Sequence, residues 1–195
     1  MEVKEPAPKY FPKMSASEFL EWERKQEFKH EYVNGEVLAM SGASFNHNRI
    51  ATNIIIDAGS FLKGKSCNIF GSDLRISVKL KDSYFYPDVT IICDEPEFDG
   101  EKIKDTLKNP AVIFEILSSS TEDYDIGRKQ IYYMQIKSLK QYIIIDSKKI
   151  NIRTITKKEE GVWKFDELST VNANLFIEPI NFHISIPDIY KGVKF

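Results

Sequence analysis

The chain is short of cysteine, with 2 copies in 195 residues, and of long apolar runs. Cys67 and Cys93 do not form a C-x-x-C pair, so neither a zinc knuckle nor a redox motif is indicated. We expect two isolated, buried small side chains, which fits a reducing cytoplasm. Apolar runs such as residues 143–145 are far too short to cross a bilayer, and the N-terminus lacks the apolar segment of a signal peptide. A cytoplasmic protein without a membrane segment is therefore expected.

Glycine and proline are also scarce, with 9 and 8 copies, which excludes a collagen-like chain. Charge of one sign is lacking, since 27 Lys+Arg against 29 Asp+Glu give a formal net charge of −2. Any contact with nucleic acid must therefore come from a local patch. The 42% of hydrophobic residues is too high for a disordered chain. We expect residues 1–14 to form an extended arm and residues 15–195 a single domain.

Several local patterns predict a mixed order of helices and strands. Ser15 and Glu18 form a capping box that begins a short helix, and Asn34-Gly35 between apolar stretches predicts a β-hairpin. Apolar residues at helical spacing predict a long helix over 47–63 that stops at Gly64. Further predictions are strands at 74–80 (half-buried), 84–93, 112–117, 141–146 and 180–186, a loop at 94–109, a helix at 126–136 with Asp125 as N-cap, and a hairpin of 150–156 with 162–168. This order indicates an α/β domain with helices packed on a sheet.

Two carboxylates stand among apolar strand residues, Asp88 and Glu115. A buried carboxylate is costly unless it is paired or binds a metal, and two that met across neighbouring strands would require a cation between them. Mg²⁺ (or Mn²⁺) is the natural ion, because it prefers carboxylate oxygen and lowers the pKa of a bound water. The residues alone leave a second interpretation open, in which Asp88 faces solvent and Glu115 pairs with a lysine at the sheet edge.

The order and spacing of several short motifs support a metal site at Asp88 and Glu115. Pro87-Asp88 followed by Glu115-Ile116-Leu117 resembles the PD-(D/E)XK nuclease superfamily, and residues 17–155 resemble its Uma-two family of endonucleases. The other matching pieces are Glu31-Tyr32-Val33-Asn34-Gly35-Glu36, Ser41 followed by His47, Asp73-Leu74-Arg75-Ile76, Ser120-Thr121, Tyr124-Asp125, Gly127, Lys129, Ser138-Leu139-Lys140-Gln141-Tyr142 and Ile145-Asp146. Each motif alone is short and weak, whereas their order is fairly specific.

The resemblance implies a restriction-endonuclease-like core, with a mixed β-sheet flanked by helices, an N-terminal helix and hairpin, and a C-terminal β-hairpin. It implies a Mg²⁺-dependent endonuclease that hydrolyses phosphodiester bonds in DNA, and, by analogy with the superfamily, a homodimer. Asp88 and Glu115 would be the metal ligands. The sequence pattern does not indicate which nucleotide sequence would be recognised, and it does not distinguish a DNA substrate from an RNA substrate.

One position departs from the superfamily pattern, which places a lysine two residues after the second acid. That position is Leu117 here, on the same face of the strand as Glu115. The Uma-two pattern implies that Lys129, on the following helix, takes the role of orienting water or neutralising charge on the phosphate. The other interpretation of Lys129 is a solvated helix lysine.

Weaker candidates surround this set. Glu36 is either a third acid of the site or an ordinary hairpin residue, and Glu31 is more readily structural. His47 faces the site or a phosphate, or is a surface histidine at the start of a helix. Asp73 is expected in solvent, and residues 118–121 either contact a phosphate or only connect two elements. Two larger groups are expected to be structural, a solvated basic stretch (Lys148, Lys149, Arg153, Lys157, Lys158) and core tyrosines (Tyr132, Tyr133, Tyr142).

Two other functions are open from the sequence. One is a catalytically inactive nuclease-fold module that binds nucleic acid or a protein partner, which the missing lysine at position 117 favours. The other is a metal-dependent hydrolase of a different phosphate ester. The position of Lys129 separates the first of these from an enzyme, since an active site needs Asp88, Glu115 and Lys129 to converge.

Overall fold

The computed structural model describes residues 11–79, 82–100, 102–117 and 124–195, with only the backbone of 124–126. The helices are α1 (Ala16–Glu23), α2 (Phe45–Leu62), α3 (Gln130–Tyr133) and α4 (Ile186–Ile189); a π-helical turn, Tyr124–Lys129, leads into α3, and a 3₁₀ turn covers Glu178–Ile180. The strands are β1 (His30–Val33), β2 (Glu36–Ala39), β3 (Asn68–Gly71), β4 (Arg75–Val78), β5 (Ser83–Phe85), β6 (Val89–Ile92), β7 (Thr106–Leu107), β8 (Val112–Leu117), β9 (Gln141–Asp146), β10 (Ile152–Glu159), β11 (Val162–Leu168), β12 (Asn174–Ile177) and β13 (Phe182–Ser185).

The strands form two larger sheets and one small one. A five-stranded sheet has the order β2-β1-β5-β4-β7, a six-stranded sheet has the order β11-β10-β9-β8-β6-β3, and β12 pairs with β13. Strand β8 runs parallel to β9, and β4 runs parallel to β7, whereas the other pairs are antiparallel. The expected α/β class with mixed sheets flanked by helices is therefore confirmed.

The six-stranded sheet is the central layer, because apolar side chains cover both of its faces. Along β8, Phe114 and Ile116 pack with Ile50 and Ile54 of α2 in one core cluster. Ile113 and Leu117 point the other way, into a second cluster that includes Val33, Ile76, Phe85 and Tyr133. A third cluster joins α1 to the first hairpin through Phe19, Tyr32, Val37 and Tyr84. Glu115 therefore faces the second cluster, because side chains alternate along a strand.

The first half of the chain follows local sequence signals closely. Ser15 caps α1, and both hydrogen bonds of its capping box with Glu18 are present. Asn34 and Gly35 turn the first hairpin with φ of 50° and 94°. Helix α2 begins two residues before the predicted start because Ser44 is its N-cap, and Gly64 follows it with a φ of 79°.

Two strand predictions were wrong in detail. The expected strand over 84–93 is divided at Pro87 into β5 and β6, which belong to different sheets. Proline provides no N–H for a ladder, so a continuous central strand through it is disfavoured. The expected half-buried strand at 74–80 is fully buried over β4, because Arg75 and Ser77 find polar partners in Thr106 and Asp99.

Other corrections concern weak or long-range signals. The helix predicted at 126–136 is already helical at Tyr124, so Asp125 lies inside the π-helical turn rather than at an N-cap. The predicted loop at 94–109 contains the short strand β7. Strands β3 and β12 were not predicted, since each pairs with a distant or later segment and carries little alternation of its own.

The two cysteines are joined, contrary to the expectation of isolated side chains. Cys67 and Cys93 form a disulfide with their Cα atoms 4.0 Å apart. They directly flank β3 and β6, whose register pairs Asn68 with Ile92 and so places the two cysteines opposite each other. This pairing is set by the sheet, which is why spacing along the sequence did not indicate it.

Within the described part of the chain, no helix is long and apolar enough to span a bilayer. Of the predicted N-terminal arm, residues 1–10 lie outside the described residues. Phe11 and Met14 pack against the cluster of α1 and the first hairpin.

Candidate active site

The candidate site lies on β8, in the middle of the six-stranded sheet. The antiparallel register of β6 and β8 pairs Val89 with Phe114, so Asp88, the residue just before β6, lies near the carboxyl-terminal half of β8. The N–H of Ile116 donates a 2.6 Å hydrogen bond to Oδ2 of Asp88, which fixes this carboxylate against β8. The structure thus places Asp88 beside β8, the strand that carries Glu115.

His47 lies on the other side of Asp88. Its Nε2 is 2.9 Å from Oδ1 of Asp88, and the two side chains are only 13% and 14% exposed. His47 is in the first turn of α2, one turn before Ile50, which packs on β8. The packing of α2 therefore carries the imidazole to the carboxylate. Among the described residues, no hydrogen-bond partner reaches His47 Nδ1.

Lys129 is buried between two carboxylates. Its Nζ lies 2.8 Å from Oε1 of Glu31 and 3.2 Å from Oε1 of Glu115, and the three side chains are between 3% and 6% exposed. The solvated interpretation of Lys129 is therefore wrong. A buried lysine in this setting is stabilised by the two negative charges, and the carboxylates in turn depend on the ammonium.

Tyr133 completes this group from one helical turn later. Its hydroxyl donates a 2.8 Å hydrogen bond to Oε1 of Glu115, and positions 129 and 133 share a helix face. Burial raises the pKa of Tyr133 well above its usual value, and the charges of Glu115 and Glu31 raise it further. The phenol therefore remains a neutral donor.

Leu117 occupies the position at which the superfamily pattern has a lysine, and its side chain is part of the core. Leu117 is 5% exposed and packs in the same core cluster as Tyr133 and Val33. The ammonium that contacts Glu115 comes instead from Lys129, at the end of the π-helical turn in the connection between β8 and β9. The charge is thus supplied by the layer above the sheet rather than by the strand itself.

Glu31 rather than Glu36 contacts this group. Glu36 is exposed at the first position of β2, beside the hairpin turn, and no contact between it and the group is found within the described ranges. A usable sequence signal existed for Glu31, because Val33, two residues later on the same strand face, is a core residue of the second cluster.

The remaining candidates lie elsewhere or are engaged locally. Asp73 is 97% exposed and pairs with Lys29, as expected for a solvent-facing acid. In the basic stretch, Arg153 lies 3.9 Å from Glu167, and Lys158 pairs with Glu178. These contacts fit the structural interpretation of the stretch. The segment 118–121 lies outside the described residues.

Metal ligands of the usual types do not form a ready-made cage. In the ranges that the structure describes, no three His, Cys, Asp or Glu side chains gather closely enough to hold a metal ion. The acids are instead divided into a pair, Asp88 with His47, and a group in which Lys129 joins Glu31 and Glu115.

The chain is similar to several known proteins. The model of the Uma2 family, described as "Putative restriction endonuclease", matches residues 16–184. Two similar proteins come from Synechocystis sp. (strain ATCC 27184 / PCC 6803 / Kazusa). Uncharacterized protein slr1290 is 33% identical over 185 residues, which is 95% of each chain. Uncharacterized protein sll1609 is 33% identical over 162 residues, covering 83% of this chain and 91% of its own.

A solved structure resembles the whole molecule. It is the crystal structure of "a putative nuclease belonging to DUF820" from Anabaena variabilis ATCC 29413, with a TM-score of 0.77 and 18% sequence identity. The match covers 93% of this chain and 99% of the other. At this identity the likeness shows the fold, which is restriction-endonuclease-like. Taken with the family match over most of its length, it places the chain in the Uma2 family of putative restriction endonucleases.

Proposed function

We propose that this protein is a metal-dependent endonuclease that hydrolyses phosphodiester bonds in DNA. Its family and fold are those of nucleases; the metal dependence, the choice of DNA and the residue roles are our inference. The observation that carries it is the position of Asp88 beside β8, where it is held by the N–H of Ile116, the residue next to Glu115 in the sequence, with the Lys129 ammonium 3.2 Å from Glu115.

The charges of the site favour a divalent cation. Asp88, Glu31 and Glu115 are three carboxylates in a largely buried region. The Lys129 ammonium contacts Glu31 and Glu115, and His47 contacts Asp88. A net negative charge in such a region is costly without a counter-ion. Mg²⁺ commonly binds through one or two carboxylates and retains several waters. Asp88 and Glu115 would hold Mg²⁺ or Mn²⁺, since this mode needs no more than two carboxylates from the protein.

Each side chain then has a distinct task. The bound ion would polarise the phosphate and lower the pKa of a water. His47 and the N–H of Ile116 orient the two oxygens of Asp88. Tyr133 and Lys129 orient Glu115. Lys129 also places a positive charge beside the carboxylates, where negative charge develops on the phosphate during hydrolysis. A DNA substrate and a cytoplasmic location belong to this proposal, and the disulfide is the feature that argues against the location.

The proposal is tested by cleavage of supercoiled plasmid and of short single- and double-stranded DNA and RNA with Mg²⁺, Mn²⁺ or EDTA. Asp88→Asn, Glu115→Gln and Lys129→Met should each lower the cleavage rate at least about 100-fold, because each removes a ligand or charge used in the transition state. Asp73→Asn and Lys25→Met are matched controls on exposed side chains, and they should cleave as the parent chain does.

A binding measurement separates ion binding from turnover. Titration of Mn²⁺, followed by electron paramagnetic resonance, should show a site that Asp88→Asn and Glu115→Gln both weaken while Asp73→Asn does not. Cleavage that survives in Asp88→Asn, or that persists in EDTA, would overturn the assignment. DNA binding without any cleavage would instead support an inactive nuclease-fold module, and turnover of a different phosphate ester would redirect the substrate class.

A further inference from the structure

We propose that β11 is a self-association edge, which pairs antiparallel with β11 of a second copy about a two-fold axis through Phe165. Strand β11 ends the six-stranded sheet, and among the described strands only β10 pairs with it. Its outer row of backbone N–H and C=O groups is therefore available, and such an edge is a template for another strand.

Most side chains of β11 are exposed to solvent. Five of its 7 residues are exposed and two are half-buried, and the exposed ones include Val162 at 52% and Phe165 at 59%. The irregularity in the hairpin falls between Lys157 and Glu159 on β10, so β11 keeps a regular ladder from Trp163 to Leu168. Neither a proline nor a bulge within β11 blocks an incoming strand.

The sequence of β11 is complementary to itself when read in the opposite direction. With Phe165 opposite its own copy, Lys164 faces Asp166 of the other chain and Asp166 faces Lys164. At the ends, Val162 faces Leu168, an apolar pair. Opposite charges and apolar pairs across strands are stabilising, whereas like charges directly opposite are destabilising.

This register is favoured over its neighbours. A two-fold axis one residue earlier would place Lys164 against Lys164, and one residue later would place Asp166 against Asp166. Lys164 and Asp166 already lie on one face, where they form a 2.9 Å ion pair. In the dimer, the two lysines and two aspartates of both chains would form a square of alternating charges. Electrostatics therefore favours a second copy of this chain, paired in this one register.

The proposed pairing also orients the candidate sites. The ladder aligns Glu115 with Ile144, Ile144 with Arg153, and Arg153 with Glu167. Glu167, and therefore Phe165, lies on the same sheet face as Glu115. A two-fold axis normal to the sheet at Phe165 keeps both copies of Glu115 on one face of the joined sheet. Because a seven-residue edge buries less than a standard interface, we expect a concentration-dependent dimer.

Charge reversal tests the register directly by sedimentation equilibrium over a range of concentrations. Asp166→Lys and Lys164→Asp each place like charges across the axis and should raise the dimer dissociation constant at least about tenfold, which corresponds to about 1.4 kcal/mol. An equimolar mixture of the two variants should dimerise again, because opposite charges then meet. The double variant Lys164→Asp/Asp166→Lys should also recover. The mixture is the more informative test, because each chain in it still lacks the ion pair between residues 164 and 166 of the same chain. Recovery of the dimer must then come from the contacts between the two chains.

Cross-linking gives an independent positive signal. Both natural cysteines are in the disulfide, so Phe165→Cys adds a single thiol at the proposed axis and should oxidise to a covalent dimer. Phe28→Cys, at a side chain that is 72% exposed, is the control and should stay monomeric under the same conditions. A parent chain that is monomeric at all concentrations, or a mixture that fails to recover, would overturn the proposal. Thermal unfolding confirms that each variant is folded.

Discussion

Lys129 is the side chain on which the candidate site most depends. It is buried and contacts Glu31 and Glu115 from the layer above the sheet. A buried ion pair contributes little net stability when compared with a well-packed apolar group, but removal of one partner is expensive. The loss of its charge should therefore affect folding as well as any reaction.

We expect Lys129→Met to lower the free energy of unfolding by about 3–5 kcal/mol, because it leaves two buried carboxylates without their ammonium. Urea unfolding in EDTA measures this without interference from bound ions. Lys25→Met, at an exposed position, should stay within about 0.5 kcal/mol of the parent. Glu31→Gln combined with Lys129→Met should recover part of the loss, and an equal loss in both would argue against the charge explanation.

At this scale, the sequence identifies those charged residues that stand among apolar neighbours and would therefore be costly to bury without a partner. Asp88 and Glu115 stand in apolar stretches, where a carboxylate has to have a reason. Lys129 came only from the resemblance to a family, since nothing in its own helix indicates burial. The structural role expected for Glu31 is compatible with its ion pair with Lys129, but the sequence does not identify that partner. Its partner lies 98 positions along the chain, and such a contact is decided by the packing of two sheets.

At the scale of elements, Asp105 joins α1 to the five-stranded sheet. Its carboxylate lies 2.8 Å from Arg24, at the end of α1, and 3.0 Å from Arg75 on β4. Partial burial raises the pKa of Asp105, but the hydrogen bond from Arg24 and the charge of Arg75 outweigh it, so the net shift is below the usual 3.8. The carboxylate is thus more strongly acidic in the folded chain than in the unfolded chain.

This shift predicts a stability that depends on pH. Because the folded pKa lies below the unfolded value, the contribution of Asp105 is present above about pH 4 and is lost as the pH falls through the folded pKa. Asp105→Asn should therefore cost about 1–2 kcal/mol at pH 7, after allowance for partial exposure, and much less at pH 2.5. Urea unfolding of both chains at the two pH values checks this. A gap that stays constant would exclude the charge of Asp105 as its cause.

Elements were predictable where the signal is local. The capping box of α1, the Asn34-Gly35 turn and the apolar spacing of α2 each operate within one or two turns of chain. The division at Pro87 was missed because strand-like residues lie on both sides of it. The π-helical turn before α3 carries no distinct pattern of its own, so an ordinary helix with a later start was the natural prediction.

At the scale of the whole molecule, the disulfide joins two neighbouring strands of the six-stranded sheet, β3 and β6. Cys67 and Cys93 are 26 positions apart, and the loop that they close contains β4 and β5 of the five-stranded sheet. The ends of this loop belong to the six-stranded sheet. A bond that closes such a loop restricts the unfolded chain more than the folded one.

Reduction should lower the free energy of unfolding by about 3 kcal/mol, as expected for a loop of this length. The measurement is urea unfolding with and without dithiothreitol. The double variant Cys67→Ser/Cys93→Ser is the control, because its stability should be low in both conditions. If the parent is insensitive to reductant, the bond contributes nothing to folding in solution.

The overall topology was the feature of the fold that the sequence predicted least well. An α/β class follows from the order of local patterns, but the distribution of strands over sheets depends on pairs such as β1 with β5 and β3 with β6, which are far apart along the chain. The strand patterns do not specify those partners. The pairing of Cys67 with Cys93 was missed for the same reason.

The built-in positive charge of Lys129 has a consequence for how the protein accumulates in a cell. In a zinc finger, the ion is needed for folding, so a shortage of metal removes the folded protein. Here an ammonium that is part of the chain already contacts two of the buried acids, so we expect newly made chains to fold without a metal ion. Under the proposed function, scarcity of metal would then lower the rate of cleavage and leave the abundance of the protein unchanged.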